Sequence, residues 1–416
     1  MKIRVTGLGC IIIIFLFIYY PPIAITNTMH FVAIWSYYYL FLGGGRSEFR
    51  YLKYRAQKLM LSLVLIVIYL LFVALFNDVS VFAATYDIVV MCLEVIPSAF
   101  AISILCLKKS HLDLSQWLIV VGMIQAIISI LAFINPAFKQ IIIDNMLRYG
   151  FSDIINKMAR IRMYGWSYTM AFAMPIVQAA IAVLAIYLGM TRNSKYLLTV
   201  PFLAFSSVIN ARVGIVVMVL GLIVIIFGRK KASVKNNIIV LLCFVLFTGL
   251  SLNVSSRLQS VSPDTYKWIT EGLGDMMALF NGNSYSEYSY FKYIADADIY
   301  RVPDGIKLLF GTGSITTRNN SLIQSDIGFI NDIWLGGLIY VFAFYGLIIS
   351  QIHKICSYYR YKYNSCGVLL EFGIIGLIMV ANIKGRILSF NEASNLIILS
   401  VVYLISKIEL EAVFME

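Results

Sequence analysis

The chain has 416 residues, of which 60% are hydrophobic and only 13% charged, with a mean hydropathy of +0.85. A soluble domain cannot hide that much apolar surface, so the bilayer is the solvent that organises this fold. The net charge of +12 follows from basic residues retained in loops on the cytoplasmic face, and it implies no nucleic-acid partner.

An all-α integral membrane protein is therefore expected, with about twelve transmembrane helices, each needing roughly 20 apolar residues. In chain order the spans fall near 8–25, 29–43, 59–77, 87–107, 116–134, 168–189, 196–211, 212–228, 237–253, 328–350, 366–382 and 393–407. The first follows Lys2 and Arg4 but exceeds a secretory h-region and has no A-x-A-like site after it, so it reads as a membrane helix. The pair 196–211 and 212–228 is short and broken only at Asn210, Ala211 and Arg212, which leaves open one bent or re-entrant element.

Lysine and arginine recur after alternate spans. They stand at Arg46, Arg50, Lys53, Arg55 and Lys58, at Lys108 and Lys109, at Arg192 and Lys195, at Arg229, Lys230, Lys231 and Lys235, and at Lys354, Arg360 and Lys362. Short cytoplasmic loops hold such charge, so both termini are expected in the cytoplasm. Cysteines at 10, 92, 106, 243, 356 and 366 have neither disulfide nor zinc spacing. Inspection shows no internal repeat, which argues modestly against a transporter. No intramembrane charge relay stands out from the spans.

Three regions result: 1–253 with nine helices and a basic outer segment at 135–167, a large outer loop at 254–327 with short amphipathic helices, and 328–416 with three helices and a cytoplasmic tail. A polar loop of about seventy residues is uncommon without a task. The segment 135–167 carries Lys139, Arg148, Lys157, Arg160 and Arg162 against Asp144 and Asp153. Arginine's planar fork suits a lipid-linked pyrophosphate, although the same run fits a salt-bridged surface helix. Arg212 sits between two apolar runs, where an unpaired charge costs at least roughly 2.5–3.5 kcal/mol, unless it snorkels to the interface. In the long loop, TYKWITEGLGDMMALF reads as an amphipathic surface helix. SEYSYFKYIADADIY presents Tyr288 and Tyr290, which can stack on sugars or anchor at the interface.

The passages LLFGTGSI and SDIGFINDIWLGGLIYVFAFYGLI, with Gly311, Gly313, Asp326, Gly328, Gly336 and Gly346, resemble the bacterial O-antigen and capsule repeat-unit polymerases and the related O-antigen ligases. RIRMYGW, with Arg162 and Gly165, and SSVINARVGIVVMVLG, with Arg212, are similar to the family's arginine-bearing stretches. An arginine followed by ten residues and a glycine, a pattern of some polymerases, is not matched, because Gly221 lies too near Arg212.

The resemblance implies a metal-independent glycosyl transfer without cofactor on the outer face. Undecaprenyl pyrophosphate-linked glycans are the implied donor and acceptor, and a chain-length regulator protein is left open as a further partner. Arg162 and Arg212, with Arg148, Arg160, Arg257, Arg301 or Arg318, would hold the departing pyrophosphate. Asp326 would act as base, while an Asp there also suits a helix N-cap or first turn. The ligases place a histidine in the large loop; here His30, His111 and His353 all lie elsewhere, which favours a polymerase. A lipid-linked oligosaccharide flippase is the alternative from another class.

Overall fold

The computed structural model describes residues 5–23, 26–109, 112–148, 162, 165–168, 172–211, 213–227, 296–315, 325–363, 365–387 and 389–415. Within them the chain is almost wholly helical. It divides into two units, one formed by Met1–Val121 with Val302–Glu416 and the other by Gly122–Arg301.

The first unit begins with α1 (Val5–Tyr19), a minimal hairpin pairing β1 (Pro22–Ile23) with β2 (Thr26–Asn27), and α2 (Met29–Phe41). α3 covers Arg46–Phe76. The basic stretch expected as a loop is thus the start of α3: Arg46, Arg50, Lys53, Arg55 and Lys58 ride on its first turns, where long side chains reach water along a continuing helix. α4 (Val81–Val90) runs through a π turn (Met91–Val95) into α5 (Ile96–Lys109). Pro97 explains the irregularity. It has no amide hydrogen for the Leu93 carbonyl four residues back, and the Tyr37 hydroxyl donates to that carbonyl instead, at 2.8 Å.

α6 spans Leu114–Ile134 and α7 Pro136–Arg148. The second unit continues with α8 (Ala173–Thr191), a 3-10 turn (Ser194–Thr199), α9 (Val200–Val208) and α10 (Val213–Phe227). α8 is buried almost all round, and its alanines 179, 182 and 185 allow close helix approach. α7 lays Ile142 and Met146 against Ala132 of α6. A second 3-10 turn, Ala297–Tyr300, ends this unit.

The chain then returns to the first unit with α11 (Ile306–Phe310), α12 (Gly328–Tyr363), α13 (Ser365–Lys384) and α14 (Glu392–Met415). Here α5 packs on α14 and α2, while α12 packs on α13, α3 and α11.

Among the described residues, six helices are long and apolar enough to cross a membrane: α3, the α4–α5 run, α6, α8, α12 and α14. A multi-pass α-helical membrane protein is the class these lengths and compositions define. Three shorter apolar helices lie in α1, α10 and α13. The twelve-span reading differs at two places. α2 has 13 residues and α9 has 9, which at 1.5 Å per residue is well under the roughly 30 Å of hydrocarbon. Around 196–211 the chain forms a 3-10 turn and a short helix, in line with the bent element left open by the sequence. The expected span at 237–253 lies outside the described residues.

Candidate functional site

α12 is broken by its own sequence. Gly337 has φ +67° and ψ −172°, which stops the helical ladder and orphans the preceding carbonyls. The FGTG turn after α11 satisfies them. Thr312 donates its amide (2.7 Å) and hydroxyl (2.9 Å) to the Trp334 carbonyl, and the Gly313 amide donates to Leu335 at 2.9 Å. The Tyr69 hydroxyl donates to the Gly336 carbonyl at 2.8 Å, with the Phe310 carbonyl at 3.1 Å as a second acceptor. A side chain on Gly311 would stand 2.6 Å from Gly336 Cα, so the motif's small residues permit backbone-to-backbone approach. The glycine-rich passage is a plug for a broken helix.

The N-terminus of α12 abuts the turn after α13. A Cβ on Gly328 would meet the Gly385 carbonyl and, at 2.9 Å, Arg386 Cα. This approach delivers Arg386 between two carboxylates: Nε lies 2.7 Å from Asp332 Oδ1 and Nη1 2.9 Å from Asp87 Oδ2. The Tyr345 hydroxyl donates to Asp332 Oδ2 at 2.7 Å. Asn382 accepts the Ile387 amide at 3.2 Å and fixes the turn. Asn391 holds its far side, donating to the Arg386 carbonyl at 2.8 Å and accepting the Ser394 amide at 3.0 Å at the start of α14. Arg386 and Asp332 side chains are 9% and 2% exposed. Charges that deep persist only when paired. Arg386 Nη2 and Tyr340 Oη are buried side by side without an aligned hydrogen bond.

Over this lattice lies an accessible pair. Asp326 Oδ2 meets Lys384 Nζ at 2.8 Å, with side chains 50% and 28% exposed. Asp326 precedes α12 by two residues, and the side chain that caps locally is Ser325, whose Oγ accepts the Ile327 amide at 3.2 Å. The cluster counts three carboxylates, Asp87, Asp326 and Asp332, against two cations, Lys384 and Arg386. A partly buried acid lies on the α4–α5 run, where Glu94 Oε1 is 2.9 Å from His30 Nδ1 of α2, with side chains 20% and 44% exposed. These acids place ion pairs on helices that the sequence presents as apolar runs.

The remaining candidates fall elsewhere. Arg148 ends α7, exposed. On the same helix Lys139 is half-buried, and burial holds its ammonium below its ordinary value. Arg301 is exposed beside the 3-10 turn of the second unit. Arg162 is partly buried, and nearby Gly165 is pressed against Gln125 and Ser129 of α6 so closely that a Cβ would stand 2.7 Å from Ser129 Oγ. Arg160, Arg212, Arg257, Arg318, Tyr288 and Tyr290 lie outside the described residues, as does the amphipathic stretch at 265–280.

Arg386, Asp332, Asp87, Lys384 and Tyr345 are not among the candidates read from the sequence. The signal is present: Asp87, Glu94 and Asp332 interrupt apolar runs, and intramembrane acids are functional or paired by default. Lys384 and Arg386 follow a span expected to end on the outer side, where basic residues are disfavoured.

No protein-family model matches the chain, and no curated protein matches it in sequence.

Proposed function

We propose that the protein is a polysaccharide polymerase of the bacterial inner membrane. It would join undecaprenyl pyrophosphate-linked repeat units on the outer face, for O-antigen or capsule, with both termini in the cytoplasm. The observation that carries the reading is the Asp326–Lys384 pair at 2.8 Å, half-exposed above a buried Arg386 lattice. Transfer of a glycan from a lipid pyrophosphate needs a base for the attacking sugar hydroxyl and cations for the departing diphosphate. Asp326 is the reachable carboxylate. Asp332 is held by Arg386 and Tyr345 and is 2% exposed, whereas the Asp326 side chain is 50% exposed. Lys384 supplies a cation at the same mouth, and Arg212 and Arg162 are the further cations that the family resemblance implies for the diphosphate. The alternation of basic segments supports the outer-face assignment.

The test is the surface-glycan length distribution of a deletion strain complemented with Asp326→Asn or Arg212→Ala, after membrane expression is confirmed. Single repeat units in both complemented strains support polymerisation. Long lipid-linked chains with undecorated acceptor indicate a ligase, and an unchanged pattern removes the glycan reading.

One observation favours a carrier as the second reading. The partly buried His30–Glu94 pair and the buried Asp87–Arg386–Asp332 grouping lie in or beside apolar helices, where ionisable residues serve transport pathways. Loss of outward-facing repeat units in the deletion strain selects it over the polymerase.

A further inference from the structure

The other end of the first unit, opposite Arg386, holds a cavity of about 570 Å³ between α3, α5 and α14. Ile104, Leu107 and Leu410 supply apolar walls, and Glu48, Lys108, Lys407 and Glu411 its charged lining. That volume lies in the range of sites that take one organic ligand, and the cavity is half open to its surroundings.

The charges do not cancel evenly. Lys108 Nζ neutralises Glu48 at 2.6 Å, and Lys362 Nζ neutralises Glu411 at 2.8 Å. Lys407 has no partner among the described residues. An uncompensated ammonium thus stands over apolar walls at the ends of helices long enough to span a bilayer. A water-soluble anion would match the ammonium and waste the walls; an uncharged acyl chain would match the walls and leave the ammonium bare. An amphiphile with an anionic head satisfies both, and basic pockets between helix ends are where anionic lipid headgroups settle.

We propose that this cavity is a binding site for one anionic glycerophospholipid, its phosphate on Lys407 and an acyl chain along Ile104, Leu107 and Leu410. The inference rests on the membrane-spanning class alone and is independent of the glycan reading.

The experiment uses the full chain purified in a neutral detergent and offered equal amounts of phosphatidylglycerol and phosphatidylcholine with identical chains, bound lipid being read by native mass spectrometry. The wild-type protein retains phosphatidylglycerol preferentially. Lys407→Gln lowers that retention about fivefold, the worth of one lysine facing an anionic headgroup, and Lys407→Arg restores it. Leu410→Trp, which fills the cavity, lowers retention of both lipids. If that variant does not fold, the two Lys407 variants decide. Equal retention of both lipids by the wild type, retention unmoved by Lys407→Gln, or displacement of the lipid by millimolar inorganic phosphate overturns the proposal.

Discussion

Arg386 Nη1 reaches Asp87 Oδ2 at 2.9 Å across 299 residues of sequence, tying α4 to the turn between α13 and α14. Through Nε the same guanidinium holds Asp332 of α12. Three segments of the first unit therefore depend on one side chain. Arg386→Met strands Asp332, which is 2% exposed, and breaking a buried pair from one side costs about 3–5 kcal/mol. Adding Asp332→Asn removes the stranded charge, so the double variant regains part of that loss. Thermal unfolding in detergent checks this; strictly additive losses would mean that the pair is not coupled.

Gly337 and Gly346 both lie in α12 but have opposite tolerances. At Gly337, φ +67° and the Leu309 carbonyl against the missing Cβ make Gly337→Ala a strained substitution. The conformation alone costs about 1–3 kcal/mol, before the α11 plug is displaced. Gly346 has nothing within 4 Å of a built Cβ. There Gly346→Ala is neutral or stabilising by about 0.5–1 kcal/mol. Detergent-soluble yield and unfolding temperature of the two variants separate them, and equal behaviour would contradict the plugged break.

The membrane class was legible in the apolar runs, as were the six long helices, because bilayer thickness dictates their length. Span count was less legible. α2 and α9 are apolar enough to pass for spans, yet they stop short where the β1–β2 hairpin and the 3-10 turn consume residues. Asp326 was found because glycine-rich passages flank it. Arg386 was not, since its role comes from Asp87 and Asp332, partners on distant helices that no local pattern connects. The FGTG passage carried part of the family resemblance, and its visible work is to satisfy carbonyls freed by Gly337.

Tyr37 compensates for a proline. Its hydroxyl donates to the Leu93 carbonyl at 2.8 Å, the group that Pro97 leaves without an amide. Tyr37→Phe leaves that carbonyl unmet in an apolar setting and costs about 1–2 kcal/mol. Pro97→Ala restores the missing amide, so Tyr37→Phe costs less in a Pro97→Ala background. A double-mutant cycle on unfolding temperature measures the coupling, and a zero coupling term would detach Tyr37 from the π turn.

Asp326 and Lys384 differ from the lattice beneath them in how much the fold needs them. Their side chains are 50% and 28% exposed, and an ion pair so open to solvent contributes about 0–1 kcal/mol. Asp326→Asn and Lys384→Gln are therefore expected to unfold within about 1 kcal/mol of the wild type. On the polymerase reading, glycan chain extension drops by at least about a hundredfold in Asp326→Asn, the lower end of what a positioned base contributes. Chain-length profiles and unfolding temperatures measured on the same preparations make the two effects separable. A stable Asp326→Asn protein that still extends glycans would move the base elsewhere, and an unstable one would make Asp326 a structural anchor of α12.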